Sequence, residues 1–380
     1  MKYRRFGKLN WNVSVLGFGA MRLPIIGDDD ANIDEPEAIR MVRYAIDHGV
    51  NYLDTAYVYH KGGSEALLGK ALKDGYRSRV KLATKMPVWL VKSHDELDKY
   101  FDEQLDRLQT GHVDFYLLHS LNRELWDKVK QLNALEWLDE KVAEGKIGHS
   151  GFSFHDKHSA FKEIVDGYEG WAFCQIQYNY LDSDYQAGTA GLEYAAAKGL
   201  AVVVMEPLAG GGLTSVPPKE IQSIWEKAKT KKSLAEWALR WVWNRPEVSV
   251  VLSGMSTMNQ VVENVEIASR SSPLSMTSEE LALVEKVKRK YKELGFIQCT
   301  GCRYCMPCPQ GVNIPQILSL HNEFVRERGE EIKNKYEKNI SPKNRAKLCS
   351  KCGKCEEHCP QKIPIRRLLS EAALFFEESG

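Results

Sequence analysis

Eight of the chain's nine cysteines fall between Cys299 and Cys359, with only Cys174 upstream. They form two runs. The second reads Cys349-x2-Cys352-x2-Cys355-x3-Cys359, followed by Pro360. Thiolates at this spacing, closed by Cys-Pro, hold [4Fe–4S] clusters. The first run reads Cys299-x2-Cys302-x2-Cys305-x2-Cys308, followed by Pro309, and is one residue shorter before its last cysteine. A secreted disulfide framework would spread its cysteines through the folded domain, whereas short gaps gather thiolates around a common centre. Two structural zinc sites are the rival reading, because zinc also takes Cys-x2-Cys pairs. The third closely spaced cysteine and the following Cys-Pro fit iron–sulfur better.

A second set of reactive side chains lies far upstream. Asp54, Lys85 and His119 stand near the ends of short apolar runs, and Tyr59 follows Asp54 by five residues. Singly, each has an ordinary explanation. A carboxylate at a strand end often caps a helix, and a lone histidine often satisfies a structural hydrogen bond. Four different titratable types brought to one place would be a reactive site.

The elements that must position them can be read from residue 14 to about 267. Strand-like runs fall at 13–19, 51–56, 80–85, 113–119, 147–153, 173–179, 201–206 and 248–254. Amphipathic helical stretches lie between them, such as "EPEAIRMVRYAIDHG", with Pro36 at its start and Gly49 after its end. "SEALLGKALKDG" opens on Ser64 as a cap, and "NALEWLDEKVAEG", "GLEYAAAKG" and "SLAEWALRWVWN" keep helical spacing. Such alternation predicts parallel strands joined by right-handed crossovers. The number of strand-like runs and the length of chain match an α/β fold of the (β/α)8 TIM-barrel type. A doubly wound open sheet competes, but one that held a dinucleotide would bring a Gly-x-Gly-x-x-Gly turn, and none is present. In a barrel, chemistry sits at the C-terminal strand ends, where Asp54, Lys85 and His119 fall. The expected organisation is a barrel over 1–295 and a small, mainly helical iron–sulfur domain over 296–380.

"NYLDTAYVYH", "VKLATKMP" and "VDFYLLHS" resemble the aldo-keto reductase family, and "GKIGHSGFS", "CQIQYNY" and "MEPLAGGGL" continue the likeness in order. The resemblance implies a catalytic group of Asp54, Tyr59, Lys85 and His119. A hydride passes between a nicotinamide and a carbonyl carbon, and Tyr59 gives the proton to the oxygen. A phenol, with a pKa near 10 in isolation, needs help near neutral pH. Lys85 would lower it, Asp54 would orient Lys85, and His119 would hydrogen-bond the carbonyl oxygen. Tyr57 competes for the acid role, and the spacing from Asp54 favours Tyr59 by family likeness.

The cofactor implied is NADP(H), with NAD(H) close behind. By resemblance, Ser153 and Gln175 hold the carboxamide, Gly211 and Gly212 admit the pyrophosphate, and Gln260, Glu263 and Asn264 face the adenosine end. The same likeness extends cofactor contact to Gly19, Met21, Arg22 and Asp54, to Met205, Pro207 and Leu208, and to Ser253 and Met255. Ser256 also reads as a helix N-cap. Three positions depart from the family. Met205 stands where many members stack an aromatic ring, and Phe154 where many carry Asn. Gly254 and Gln260 replace the Lys and Arg that often meet a 2′-phosphate.

The cysteine tail, with "GVNIPQIL" and "KIPIRRLL", resembles two-cluster ferredoxin-like modules. In those, the fourth cysteine of each run ligates the other cluster. The resemblance therefore groups Cys299, Cys302, Cys305 and Cys359, and separately Cys349, Cys352, Cys355 and Cys308. Hydride transfer moves an electron pair, clusters pass electrons singly, and no flavin motif bridges the two. The clusters then either brace a small domain or exchange electrons with a redox partner protein. Two rival functions stay open: a nucleotide-binding regulatory protein, and an electron carrier whose barrel docks the ferredoxin module.

Composition excludes other classes. Apolar residues make 43% and charged residues 27%, with net charge +1, which gives no basic excess for nucleic acid. No apolar run reaches membrane-span length and no signal peptide is visible, so a cytoplasmic location is expected. Trp89 and Trp126 are candidates to line the substrate opening. "KEIQSIWEKAKTKK" reads as a solvated helix and "RERGEEIKNKYEK" as an exposed one, while Trp237 and Trp241 share a packed helix face.

Overall fold

The computed structural model describes residues 1–27, 29–327 and 331–377. Two short strands, β1 (Tyr3–Arg5) and β2 (Asn12–Ser14), pair antiparallel. Eight further strands close a barrel: β3 (Leu16–Gly19), β4 (Tyr52–Asp54), β5 (Lys81–Met86), β6 (Val113–Leu121), β7 (Ile147–Phe154), β8 (Phe173–Gln177), β9 (Ala201–Met205) and β10 (Val248–Gly254). Neighbours are parallel all round, and β10 returns to β3 in register Leu252 with Gly17 and Ser253 with Phe18. Parallel strands buried on both faces read as continuous apolar runs, which is why "AVVVM" and "VSVVLSG" formed such plain signals.

The N-terminal hairpin plugs one end of the barrel. Phe6, in its turn, packs its ring 4.8 Å from Phe115, 5.6 Å from Phe173 and 5.9 Å from Tyr52. These belong to a buried cluster with Val203, Val250 and Leu252. Gly7 permits the approach, because a Cβ there would stand 2.4 Å from the Ala201 nitrogen. The strands β4, β5 and β6 finish at the opposite end.

Contacts group the described residues into two compact units. The first comprises Met1–Pro207 with Ala238–Met276, and carries the barrel. The second comprises Leu208–Trp237 with the chain from Thr277 onward. Its core gathers Val312, Ile317, Leu318, Tyr336, Ile363, Leu369 and Phe376, with several cysteines packed against it. A helix follows each cysteine run, Ile314–Glu327 and Ile365–Glu377. The Tyr336 and Phe376 rings stack at 4.6 Å.

Several local expectations change. Ser64 does not cap its helix. The helix begins at Gly63 behind Gly62 with φ 94°, and the Ser64 hydroxyl donates instead to Ala20 O at 2.8 Å. The cap before Met258–Arg270 is Thr257, not Ser256. The 219–232 stretch is helical only over Lys219–Trp225 and is not simply solvated: Ile221 and Trp225 are buried, and Trp225 stacks on Trp237 at 4.9 Å. Trp241 faces Tyr178 instead, at 5.1 Å. The reading of 326–338 as one exposed helix falls partly on 328–330, outside the described residues. Glu331–Asn339 is helical, with Ile332 and Tyr336 buried.

Candidate active site

Asp54 ends β4, Lys85 lies one residue from the end of β5, and His119 lies near the end of β6. All three are buried, with Tyr59 8% exposed beside them. Lys85 Nζ donates to Asp54 Oδ1 at 2.6 Å and to the Thr55 carbonyl at 2.6 Å, and lies 3.4 Å from the Tyr59 hydroxyl. The Tyr59 and His119 rings meet edge-on at 6.0 Å. Burial pushes the Asp54 carboxyl up and the Lys85 ammonium down, and the charge of each partner opposes both shifts. Burial, then the Lys85 and His155 charges, holds His119 well below the usual histidine range, so its imidazole is neutral near pH 7.

Local backbone aims these groups. The β6–β7 register shifts between Leu118 and Leu121, and Ser120 takes a φ of 57°. This bulge re-aims the strand at His119. After Tyr59, both His60 and Lys61 are left-handed, at φ 51° and 53°. His60 holds that turn with both ring nitrogens. Leu23 N–H donates to Nε2 at 3.1 Å, so Nδ1 carries the proton and donates to Asp30 O at 2.7 Å. Lys61 pairs with Asp29 at 2.8 Å.

Behind Lys85 lies a buried polar network that the sequence reading missed. Glu65, fully buried, accepts from Thr84 at 2.6 Å, Gln104 at 2.7 Å and Arg107 at 3.3 Å. Gln104 also donates to the Lys85 carbonyl at 3.0 Å. Arg107 reaches Glu103 and stacks 4.2 Å over the Tyr57 ring, whose hydroxyl donates to Glu103 at 2.9 Å. Tyr57 is therefore engaged away from Lys85. Trp89, 37% exposed, approaches the His119 ring at 5.0 Å. Trp126 does not line an opening, being buried against Trp171.

Asp54 Oδ2, His119 Nδ1, Ser120 Oγ and Gln175 Oε1 are among the buried polar atoms that have no partner among the described residues. Unsatisfied buried groups are costly and cluster where a ligand completes them. Ser153 Oγ accepts from Ser120 N–H at 2.7 Å, and Gln175 Nε2 points to Met205 Sδ at 3.6 Å. This places Ser153, Gln175 and Met205 on three adjacent strands, with the Gln175 amide oxygen without a partner. Phe154 instead packs on Phe161 at 5.1 Å. Further along the same unit, Gly19 ends β3 and Arg22 runs over Gly254 to reach Glu206 at 3.4 Å. Met255 is buried, and Asn264 donates to Ser253 Oγ at 3.0 Å. Gln260, exposed, accepts from Ser256 N–H at 2.8 Å, and Glu263 is half-buried one turn on. Pro207 closes this unit's segment.

Within the second unit, Leu208, Gly211 and Gly212 form a tight turn. Gly211 N–H donates to Leu208 O at 3.0 Å and Gly212 N–H to Ala209 O at 3.0 Å. The thiols of the same unit fit iron–sulfur chemistry by donor type and grouping. Burial, with Cys302, Cys299 and Cys359 in that order, pushes the Cys305 thiol up to about 12. The second-run Cys359 thus shares the field of the first-run triplet. Burial, then Glu356 and Cys349, pushes Cys355 up to about 11. Cys359 is buried, Cys308 is half-buried against the core, and Cys352 is exposed. Among the described residues no three His, Cys, Asp or Glu side chains converge as one metal ion requires. A four-iron cube holds its thiolates at separate corners.

Known proteins resemble this chain. A model of the aldo/keto reductase family matches residues 15–289, and one of a 4Fe-4S dicluster domain matches 298–363. L-galactose dehydrogenase of Arabidopsis thaliana is 30% identical over 313 residues, covering 77% of this chain and 96% of that protein. The 6-dehydroglucose reductase of Novosphingobium aromaticivorans is 27% identical over 287 residues, covering 70% and 89%. Among solved structures, the holo form of an aldo-keto reductase from Bacillus halodurans matches with TM-score 0.63 at 29% identity, over 76% of this chain and 96% of that one. No helix among the described residues is long and apolar enough to cross a membrane. The chain belongs to the aldo/keto reductase family, as an NAD(P)H-dependent oxidoreductase whose barrel precedes a 4Fe-4S dicluster domain.

Proposed function

We propose that this protein reduces a small carbonyl compound with NADPH, Tyr59 being the proton donor. The observation that carries the proposal is Lys85 Nζ, 2.6 Å from Asp54 and 3.4 Å from the Tyr59 hydroxyl. A bound nicotinamide supplies the hydride. Lys85 stabilises the Tyr59 phenolate left after proton donation, and Asp54 keeps Lys85 charged in a buried site. Neutral His119 donates a hydrogen bond to the carbonyl oxygen and fixes its position. Ser153 and Gln175 orient the carboxamide, with Gln175 Oε1 accepting from its amide. Leu208, Gly211 and Gly212 line the pyrophosphate, while Arg22, Gln260, Glu263 and Asn264 define the adenosine end.

The cysteines hold two [4Fe–4S] clusters with the fourth ligands crossed, Cys359 joining Cys299, Cys302 and Cys305. These clusters stabilise their unit and take no part in the hydride step. Relatives named for galactose and dehydroglucose make sugar-like hydroxycarbonyls the first substrates to try.

The test is a panel of carbonyl compounds and alcohols with NADPH and NADH compared side by side, repeated with Tyr59→Phe. Tyr59→Phe should lower kcat by about 10²-fold or more with dinucleotide affinity retained, while Tyr57→Phe keeps turnover. Unchanged turnover in Tyr59→Phe would remove the mechanism. Rapid anaerobic reduction of the clusters by NADPH would remove the purely structural reading of the clusters.

A further inference from the structure

Gly210 and Thr300 meet backbone to backbone. Gly210 has φ +66°, and a Cβ placed on it would lie 2.3 Å from Thr300 O, 2.6 Å from Thr300 Cα and 2.7 Å from Thr300 C. No side chain tolerates that distance from backbone, so the turn lies against Thr300 only because residue 210 is glycine. Thr300 is 4% exposed and stands between Cys299 and Cys302, the first two thiols of the first run. The turn is itself stiff. Ala209, Gly210 and Gly211 all have positive φ, and Leu213 N–H joins Gly211 N–H on the Leu208 carbonyl. A displacement of Thr300 is therefore passed to Gly211 and Gly212 rather than absorbed between them.

We infer that the Gly210–Thr300 contact is a positioning device: the segment Cys299–Cys302 braces the dinucleotide's pyrophosphate turn, so that dinucleotide binding and integrity of the cluster held by Cys299 and Cys302 are coupled. The inference rests on the proposed seating of the pyrophosphate at Gly211 and Gly212. Thiolates bound to a cluster fix the backbone on both sides of Thr300, as metal ligation generally fixes local fold. Loss of the cluster releases that backbone and the turn it supports. The coupling runs both ways by thermodynamic necessity, so an occupied turn holds the cluster segment in place. The cluster segment then serves the dinucleotide turn of its own unit with no electron passing between cluster and nicotinamide.

The experiment uses the full-length, cluster-loaded protein and follows iron release to a chelator as loss of visible cluster absorbance. The probe is oxidised NADP+, or NAD+ where that titrates more tightly. Saturating probe should slow release from one of the two clusters by about fivefold or more, and Gly210→Ala should abolish the protection. Gly295→Ala is the matched control. It lies in the same unit and shares a positive φ, +70°, close to that of Gly210, but nothing stands within 4 Å of its Cβ position. Without nucleotide, Gly210→Ala should release iron faster than wild type and Gly295→Ala at the wild-type rate. Equal release rates for the two variants, or protection intact in Gly210→Ala, overturn the inference. A dinucleotide that binds in a calorimetric titration without slowing release overturns the coupling alone. One that does not bind overturns the proposed function with it.

Discussion

Lys85 Nζ lies 2.6 Å from Asp54 Oδ1 and 3.4 Å from the Tyr59 hydroxyl, so one buried ammonium touches both a carboxylate and a phenol. Neither charged group has water to turn to, because Lys85 is 0% and Asp54 2% exposed. Each charge persists only because of the other.

Lys85→Met should therefore do two separable things. It removes the cation beside Tyr59, and kcat should fall by about 10²–10⁴-fold. It also leaves Asp54 buried without its partner, which should cost about 3–5 kcal/mol of stability. Adding Asp54→Asn removes the stranded charge and should restore part of the stability and none of the turnover. Denaturant midpoints and single-turnover rates for wild type, Lys85→Met and the double variant check both parts. A double variant as active as wild type sinks the assignment.

His119 makes a pH prediction. Its folded pKa lies well below 6.5, chiefly through burial. Between that depressed value and 6.5 the unfolded chain binds a proton that the folded chain does not. Stability should then rise with pH across this window and fall as pH drops below 6.5, by up to about 1.4 kcal/mol per pH unit. His119→Asn removes the titration, so thermal midpoints of variant and wild type should converge or cross as the pH is lowered. Parallel pH profiles would contradict a buried neutral imidazole.

The crossed ligation can be tested by pairing substitutions. Cys359→Ser should remove about half of the bound iron, although Cys359 belongs to the second run. Adding Cys299→Ser should cost nothing more, since both act on one cluster, whereas adding Cys349→Ser should remove most of the rest. Iron analysis and electron paramagnetic resonance of the reduced proteins report this. The reverse pattern would assign Cys359 to its own run and, with it, undo the role given to Cys308.

Much of this architecture was legible because it rests on period and punctuation. "AVVVM" and "VSVVLSG" are strands by composition, and Asp54, Lys85 and His119 stood out because barrel strand ends are where side chains leave the wall. What escaped reading depends on contacts distant in sequence. Glu65 looks like an ordinary acid in the first turn of a helix, and only Thr84, Gln104 and Arg107 make it the anchor behind Lys85. The bulge at Ser120 and the left-handed pair His60–Lys61 put non-glycine residues where glycine is the usual signal. Thr257 and Ser256 are equally good cap types, and which one caps is set by where the Ser256 hydroxyl finds Arg22 O, 2.9 Å away. Trp126 and Trp89 are the same residue type beside the same barrel end, and burial against Trp171 rather than sequence separates them.

Residues 208–237 interrupt the chain of the barrel unit yet fold with the chain from Thr277 onward. Within that unit the helix Lys219–Trp225 packs on Ser278–Glu293, and Lys232 pairs with Glu280 at 2.5 Å. This sets an order on the ribosome. All eight barrel strands are made by residue 254, but the segment between β9 and β10 still awaits the partners that emerge after it. Domains generally mature as units during synthesis. A barrel released by premature termination near residue 276 would carry an unfinished excursion of some thirty residues, exposing Trp225 and Ile221 to chaperones and proteases.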